Sequence, residues 1–265
     1  MPFTLAHPAA VLPLHKLYPG AFLALALGSV GPDLPFFLPL RVLHALGNTH
    51  SLQATLTIGP LLALALLIAL VLLEPALLQP LWGKHRALLE QELSPLRQGR
   101  LLPWARALPA LWLGSFTHYL CDGATHGEGS IVQLLPVLNT PLTLFSGHTA
   151  PLYLLLQYTS SLAGLGILAW WYYRQPPPIT PTAQGQPMTE QAAWLAFILL
   201  GATVLAARAD LRTLPYHAGP GGLLYAGLTH FVSDFVALYV LRGLSAIAFA
   251  HVANRAAAWL PALRR

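Results

Sequence analysis

Residues 54–73, ATLTIGPLLALALLIALVLL, run for 20 positions without one charged side chain. A helix rises about 1.5 Å per residue, so a run of this length reaches across the roughly 30 Å hydrocarbon core of a bilayer. Whole-chain composition points the same way. Of the 265 residues 55% are hydrophobic and 9% charged, where soluble domains carry about 25% charged residues. Lipid, more than water, is the solvent these side chains suit. The sequence therefore reads as all-α, a polytopic transmembrane bundle of five or six spans.

Working outward from that run, residues 20–40 form an earlier apolar stretch, interrupted by Gly28-Ser29-Val30-Gly31-Pro32-Asp33. Proline ends a helix and restrains the residue before it, so this first long helix is expected over Ala21–Val30 and then broken. Before it, residues 1–18 suggest a short helix begun at Pro8 and ending near Lys16. The N-terminus lacks the basic start of a cleavable signal and has Pro2, Pro8 and Pro13 inside it. Beyond the charge-free run, residues 82–106 read as the main hydrophilic loop. Further spans are expected over Trp104–Asp122, Pro151–Tyr173, Gln191–Arg208 and Leu223–His251. The fourth closes on Trp170, Trp171, Tyr172, Tyr173 and Arg174, an aromatic belt capped by a cation. The domain reading is a membrane core over 1–173, a proline-rich linker over 174–190 and a helical pair over 191–265.

Charge gives orientation. Lys84, Arg86, Arg97, Arg100 and Arg106 place residues 82–106 in the cytoplasm by the positive-inside rule. The loops 41–53 and 123–149 then face outward, with Arg41 their only basic residue. The formal charge of +5 forms no dense basic patch, which argues against nucleic acid as a partner. A single cysteine, Cys121, excludes an internal disulfide and a CxxC metal site, and reads as a small buried residue. Nothing in the pattern fixes an oligomeric state.

The chemistry gathers at the outward ends. In LGSFTHYLCDGATH, residues 113–126, His118 and Asp122 are four apart and share a helix face, and Gly123 reads as the helix terminator. The bland alternative is a His–Asp hydrogen bond inside a buried helix end. Asp33 follows the broken first helix, and His50 precedes the second span. Imidazole and carboxylate are zinc-type ligands, and with no thiolate the set suits a hydrolytic metal better than a structural one. His7 is a candidate for a second metal bridged through Asp122, and Asp33, if not a ligand, for the general base. His126 and His148, in the outward loop, could be ligands or substrate-contacting acids. Each has a plainer reading: Asp33 as a turn cap, His50 beside a helix cap at Asn48 or Thr49, and His7 as an interfacial residue. His15, His44, His85, His217 and His251 are assigned to interfaces or loops. Thr229-His230-Phe231-Val232-Ser233-Asp234 echoes Thr117–Asp122 in type and spacing, and reads as a packing hydrogen bond sooner than a ligand pair.

The motifs MPFTLAHPAAVLPL, GSVGPDLPFF, NTHSL, LGSFTHYLCDGATH and PLYLLLQYTSSLAGL resemble the bacterial membrane family called domain of unknown function 4184, over about residues 1–173. Their order is also similar to that of predicted membrane-bound metal-dependent hydrolases and, distantly, to zinc-dependent phospholipase C. The resemblance implies one zinc on Asp33, His50, His118 and Asp122, with His7 and the shared Asp122 at a second. The phospholipase's HxxxE ligands have no counterpart, since Leu152 stands four residues after His148.

The expectation is a metal-dependent membrane hydrolase of the bacterial inner membrane, zinc the metal expected, its site facing outward and its substrate a lipid-like ester or phosphoester. Two other classes compete with it: an ion- or proton-coupled transporter, and a membrane scaffold braced by a metal.

Overall fold

Two glycines decide how the helices cross. The computed structural model describes residues 4–37, 49–78, 81, 83–143 and 149–176. Over them the chain is mostly helical. A 3-10 helix, Thr4–Val11, leads into α1 (Leu12–His15) and α2 (Phe22–Val30). The 3-10 turn Gly31–Asp33 then joins α3 (Leu34–Phe37). Next come α4 (Leu52–Leu56), α5 (Ile58–Leu78), α6 (Gly83–Arg97) and α7 (Leu101–Thr125). After them stand α8 (Ser130–Leu134), the 3-10 turn Pro136–Asn139, strands β1 (Pro141–Thr143) and β2 (Thr149–Pro151), and α9 (Leu152–Arg174).

The chain divides into two compact units, residues 1–71 with 91–176, and residues 72–90 with 177–265. In the second unit Arg86 donates from Nη1 to the Leu78 carbonyl at 3.0 Å and pairs with Glu90, one turn on, at 3.7 Å. The proline-rich linker, the last two expected spans, the Thr229–Asp234 echo, His148, His44, His217 and His251 lie outside the described residues.

In the first unit α7 is the axis: α2, the Thr4–Val11 helix, α4, α8 and α9 all pack on it. Ala24, Leu25, Ala107, Ala110 and Leu111 are buried on α2 and α7. The two backbones touch directly. A Cβ on Gly28 would lie 2.3 Å from the Leu111 carbonyl oxygen, and one on Gly114 would lie 2.2 Å from that of Leu25. Small residues at a crossing are how helices pack where lipid removes the hydrophobic drive between them.

Polar capping finishes the frame. No side chain of its own caps the start of α2. Glu92 of α6 does so instead, accepting from the Leu23 amide at 3.2 Å. At the far end of α6, Gly99 takes φ +68°, and the Gly99 and Arg100 amides close onto the Leu96 and Pro95 carbonyls. Such a left-handed C-terminal cap is where glycine costs least.

Several expectations are corrected. The run 54–73 is not one unbroken helix. Pro60 has no N–H for the Leu56 carbonyl, and the helix interrupts at Thr57. Trp112 Nε1 takes up the Leu56 carbonyl at 2.9 Å, and Ser115 Oγ takes that of Thr55 at 2.9 Å. The segment 83–106 is largely helix, because Leu93 and Leu96 recur on one face and are buried while Glu90, Gln91 and Arg97 are exposed. Gly123 does not end α7, which runs on to Thr125. The chain folds back closely against it: a Cβ on Gly123 would lie 3.0 Å from Ser130 Oγ, and one on Gly129 would lie 2.4 Å from the Gly123 carbonyl oxygen. The loop 123–149 contains a helical turn and a small antiparallel hairpin, Leu142 opposite Ala150, so the unit is not strictly all-α.

Among the described residues two helical segments are long and apolar enough to cross a membrane, Leu52–Glu74 and Leu152–Arg174. The expected first span is a short apolar helix, Phe22–Asp33. The expected third, α7, has the length at 25 residues but not the apolarity, since Arg106, Ser115, His118 and Asp122 interrupt it.

Candidate metal centre

Four side chains from three separate segments meet at the buried end of α7. His118 and Asp122 stand one turn apart on α7, Asp33 comes from the turn after α2, and His50 from just before α4. One ligand atom from each lies within 4.8 Å of the other three. His50 Nε2 is 2.9 Å from Asp33 Oδ1 and 3.3 Å from Asp122 Oδ2. His118 Nε2 is 3.2 Å from Asp122 Oδ2 and 3.7 Å from Asp33 Oδ1. A tetrahedral metal with spokes of about 2.0–2.1 Å puts its ligand atoms roughly 3.3–3.4 Å apart. The four measured separations bracket that value.

Orientation is enforced from behind. His118 Nδ1 lies 2.8 Å from the Ser29 carbonyl. A carbonyl can only accept, so Nδ1 carries the proton and Nε2 presents its lone pair to the cluster. The close crossing at Gly28 and Gly114 makes this contact possible, because Ser29 is the next residue along α2. Thr4 donates its hydroxyl to Asp33 Oδ2 at 2.5 Å, which leaves Oδ1 turned toward the histidines. Asp33 is 1% exposed and His118 1% exposed.

His7 stands against the other carboxylate oxygen. Its Nε2 is 3.4 Å from Asp122 Oδ1, and its ring lies 4.2 Å from that of His118. His126 Nδ1 is 3.7 Å from the same oxygen and 3.1 Å from the Asp122 carbonyl. Burial first, then the neighbouring His118, pushes the His7 imidazole down to about 4, and burial lowers His126 as well. Both are neutral at physiological pH, the form in which imidazole binds a metal.

The donor set can be tested against a cation by asking which buried polar atoms lack partners. His7 Nε2, His118 Nε2 and Asp122 Oδ1 are buried without a hydrogen bond of ordinary geometry. An unsatisfied buried polar group costs about 1–3 kcal/mol. Three of them facing one another at 3.2–3.4 Å from a neighbouring ligand atom fit a site whose missing member is positively charged. The arrangement can hold a divalent metal.

Sequence reasoning named all four clustered residues, together with His7 and His126, and the structure brings the six together. Asp33 does not cap the broken helix, since both its oxygens are engaged elsewhere. The helix cap after His50 is Ser51, accepting from the Ala54 amide at 3.1 Å, not Asn48 or Thr49. Thr4, Ser29 and the two crossing glycines were missed. The signals were present in the small-residue spacing around Gly28 and in the threonine three residues before His7.

Fold and site together define a class: over the described residues a mostly helical chain with two segments long and apolar enough to cross a membrane, carrying a His2Asp2 group able to hold a metal ion. The chain belongs to the family described as domain of unknown function DUF4184, whose family model matches residues 1–254. That match extends past the N-terminal motifs into the C-terminal region. No curated protein and no solved structure matches the chain.

Proposed function

We propose that the protein is a metal-dependent hydrolase of the bacterial inner membrane, with five or six spans and its site at the outer face, acting on a lipid-like ester or phosphoester. The observation that carries this reading is the convergence of Asp33, His50, His118 and Asp122 beside an open cavity of about 440 Å³. His50, Tyr119, Asp122, His126, Glu128 and Ser130 line that cavity. A ligand group that only braced helices would have no need of such access, and catalytic sites keep a coordination position open to it.

A divalent ion held there, with zinc the best match to the donor chemistry, supplies a Lewis acid and lowers the pKa of water toward neutrality. The protein's own groups do the rest. Asp33 has one oxygen on Thr4 and the other on His50, so it serves as a ligand in preference to a base. His126 takes the role of proton acceptor and donor. Its Nδ1 proton is held by the Asp122 carbonyl, which leaves Nε2 as the basic nitrogen of a ring that lines the cavity. Buried walls at His7 and His118 keep bulk water from the ligand atoms and strengthen every charge interaction among them.

The reading is tested by incubating purified zinc-loaded protein with phospholipid micelles and following ester and phosphoester products by mass spectrometry. Metal-dependent product formation, lost in His126→Ala, is expected. Ion flux in proteoliposomes with every lipid intact would replace the hydrolase by a transporter.

A further inference from the structure

On the other side of His7 lies a second opening. The Thr4–Val11 helix, α7 and α9 enclose a groove of about 270 Å³, with His7 at its inner end. Its walls are Ala6, Ala9 and Ala10 on one side, and Ala163, Gly164 and Ile167 on the other. At the base the backbones nearly touch, because a Cβ on Gly164 would sit 3.0 Å from the Ala6 carbonyl oxygen.

Three hydroxyls also border the groove, but each is turned back into its own helix. Thr125 donates to the Cys121 carbonyl at 2.8 Å, and Ser160 and Ser161 donate to that of Gln157 at 3.2 and 2.7 Å. With their protons spent on backbone, they offer a ligand little to donate, and the groove behaves as an apolar slot. It also lies on a helix long and apolar enough to cross a membrane. α9 is a candidate span with 11% of its apolar window buried. The polar cavity with His50 and Glu128 lies beyond Asp122, whose Oδ1 is 3.4 Å from His7 Nε2. A polar opening and an apolar one thus flank the same His7–Asp122 contact.

We propose that this groove seats an alkyl chain, so that the substrate is an amphiphile whose chain lies along Ala10 and Ala163 and whose polar end enters the cavity beside His50 and His126. The inference rests on the hydrolase reading for its substrate, yet the seat itself can be probed without turnover. The occupant is set by the lining: small apolar walls along a largely unburied helix accept a methylene chain, and the wall hydroxyls, already bound to backbone, offer little to a polar or charged group.

The test uses the full chain in phosphatidylcholine nanodiscs and a lysophosphatidylcholine carrying a diazirine on its acyl chain. After irradiation, labelled peptides are mapped by mass spectrometry. Label is expected on residues 9–10 and 160–167, and the double variant Ala10→Leu, Ala163→Leu should reduce it roughly tenfold, the worth of about two excluded methylenes. Both alanines are exposed, so the larger side chains enter the slot without crowding the core. Bound metal should be unchanged in that variant, which shows that the site has kept its shape. Label confined to Leu162 and Leu165, 73% and 38% exposed, and indifferent to the double substitution would be ordinary surrounding lipid and would overturn the proposal. Groove labelling that persists in His118→Ala protein supports the seat independently of the metal. Were no lipid hydrolysed while the groove still labelled, the hydrolase reading would fall and the chain seat would stand.

Discussion

Replacing Gly114 by alanine should damage the metal centre although the atoms its added methyl would meet first belong to none of the ligands. The added Cβ would lie 2.2 Å from the Leu25 carbonyl oxygen and 2.7 Å from the Ser29 amide nitrogen. Both obstacles are backbone, so no side chain can swing aside. Bringing the shorter contact to 3.0 Å requires α2 and α7 to part by at least about 0.8 Å, in a packing that leaves no slack. The 2.8 Å contact of His118 Nδ1 with the Ser29 carbonyl would then stretch to about 3.6 Å, past the range of a hydrogen bond. Losing the partner that orients a ligand histidine lowers metal affinity about 10–100-fold. Overpacking of this kind destabilises by about 1–3 kcal/mol, offset in part by the better helix propensity of alanine. Competition with a chromogenic chelator reads the affinity, and thermal unfolding in detergent reads the stability. Gly166→Ala is the control. It lies in α9 with nothing within 4 Å of its would-be Cβ, and should stabilise by about 0.5–1 kcal/mol with metal affinity unchanged. Wild-type affinity and stability in Gly114→Ala would refute the link between the helix crossing and the site.

Three further outcomes follow from the same geometry. Thr4→Val removes the hydroxyl on Asp33 Oδ2 at little change in volume, and should weaken metal retention about 10-fold or more in dialysis against chelator. Glu92→Ala leaves the Leu23 amide at the start of α2 without its acceptor and should lower stability by about 1 kcal/mol, whereas Glu92→Gln keeps an acceptor and should lower it less. Burial raises the Glu92 pKa and outweighs the Leu23 and Phe22 amides that lower it. The protonated form is therefore favoured by folding, and its contribution is present at low pH and lost as pH rises from the ordinary carboxyl range through the raised value. Denaturant melts across that window should show the slope in wild type and a shallower one in Glu92→Gln.

The site was more legible in the sequence than the fold. Ligand chemistry is local: His118 and Asp122 announce themselves by an i, i+4 spacing, and Asp33 and His50 by sitting where apolar runs begin or break. Charge bias then put all of them at one end of the spans, and the structure joins them in one cluster. The fold was harder because its decisive features depend on partners far along the chain. Pro60 looked tolerable inside an apolar run, and its effect shows only in where Trp112 and Ser115 send their hydrogen bonds. Gly123 carried the usual sign of a helix end, yet its role is to admit Gly129 and Ser130. The charged segment 83–97 hid an amphipathic helix because hydropathy averages erase a narrow buried stripe of Leu93 and Leu96. Glu92 could not be recognised as the cap of α2 from 69 positions away.

The central claim is that four side chains from three segments close around a cation. Elemental analysis of the purified protein, wild type beside His118→Ala and Asp122→Ala, tests it most directly. The account predicts at least one divalent metal per wild-type chain and its loss from both variants while their helical circular dichroism is kept. Stoichiometric metal in both variants would contradict it.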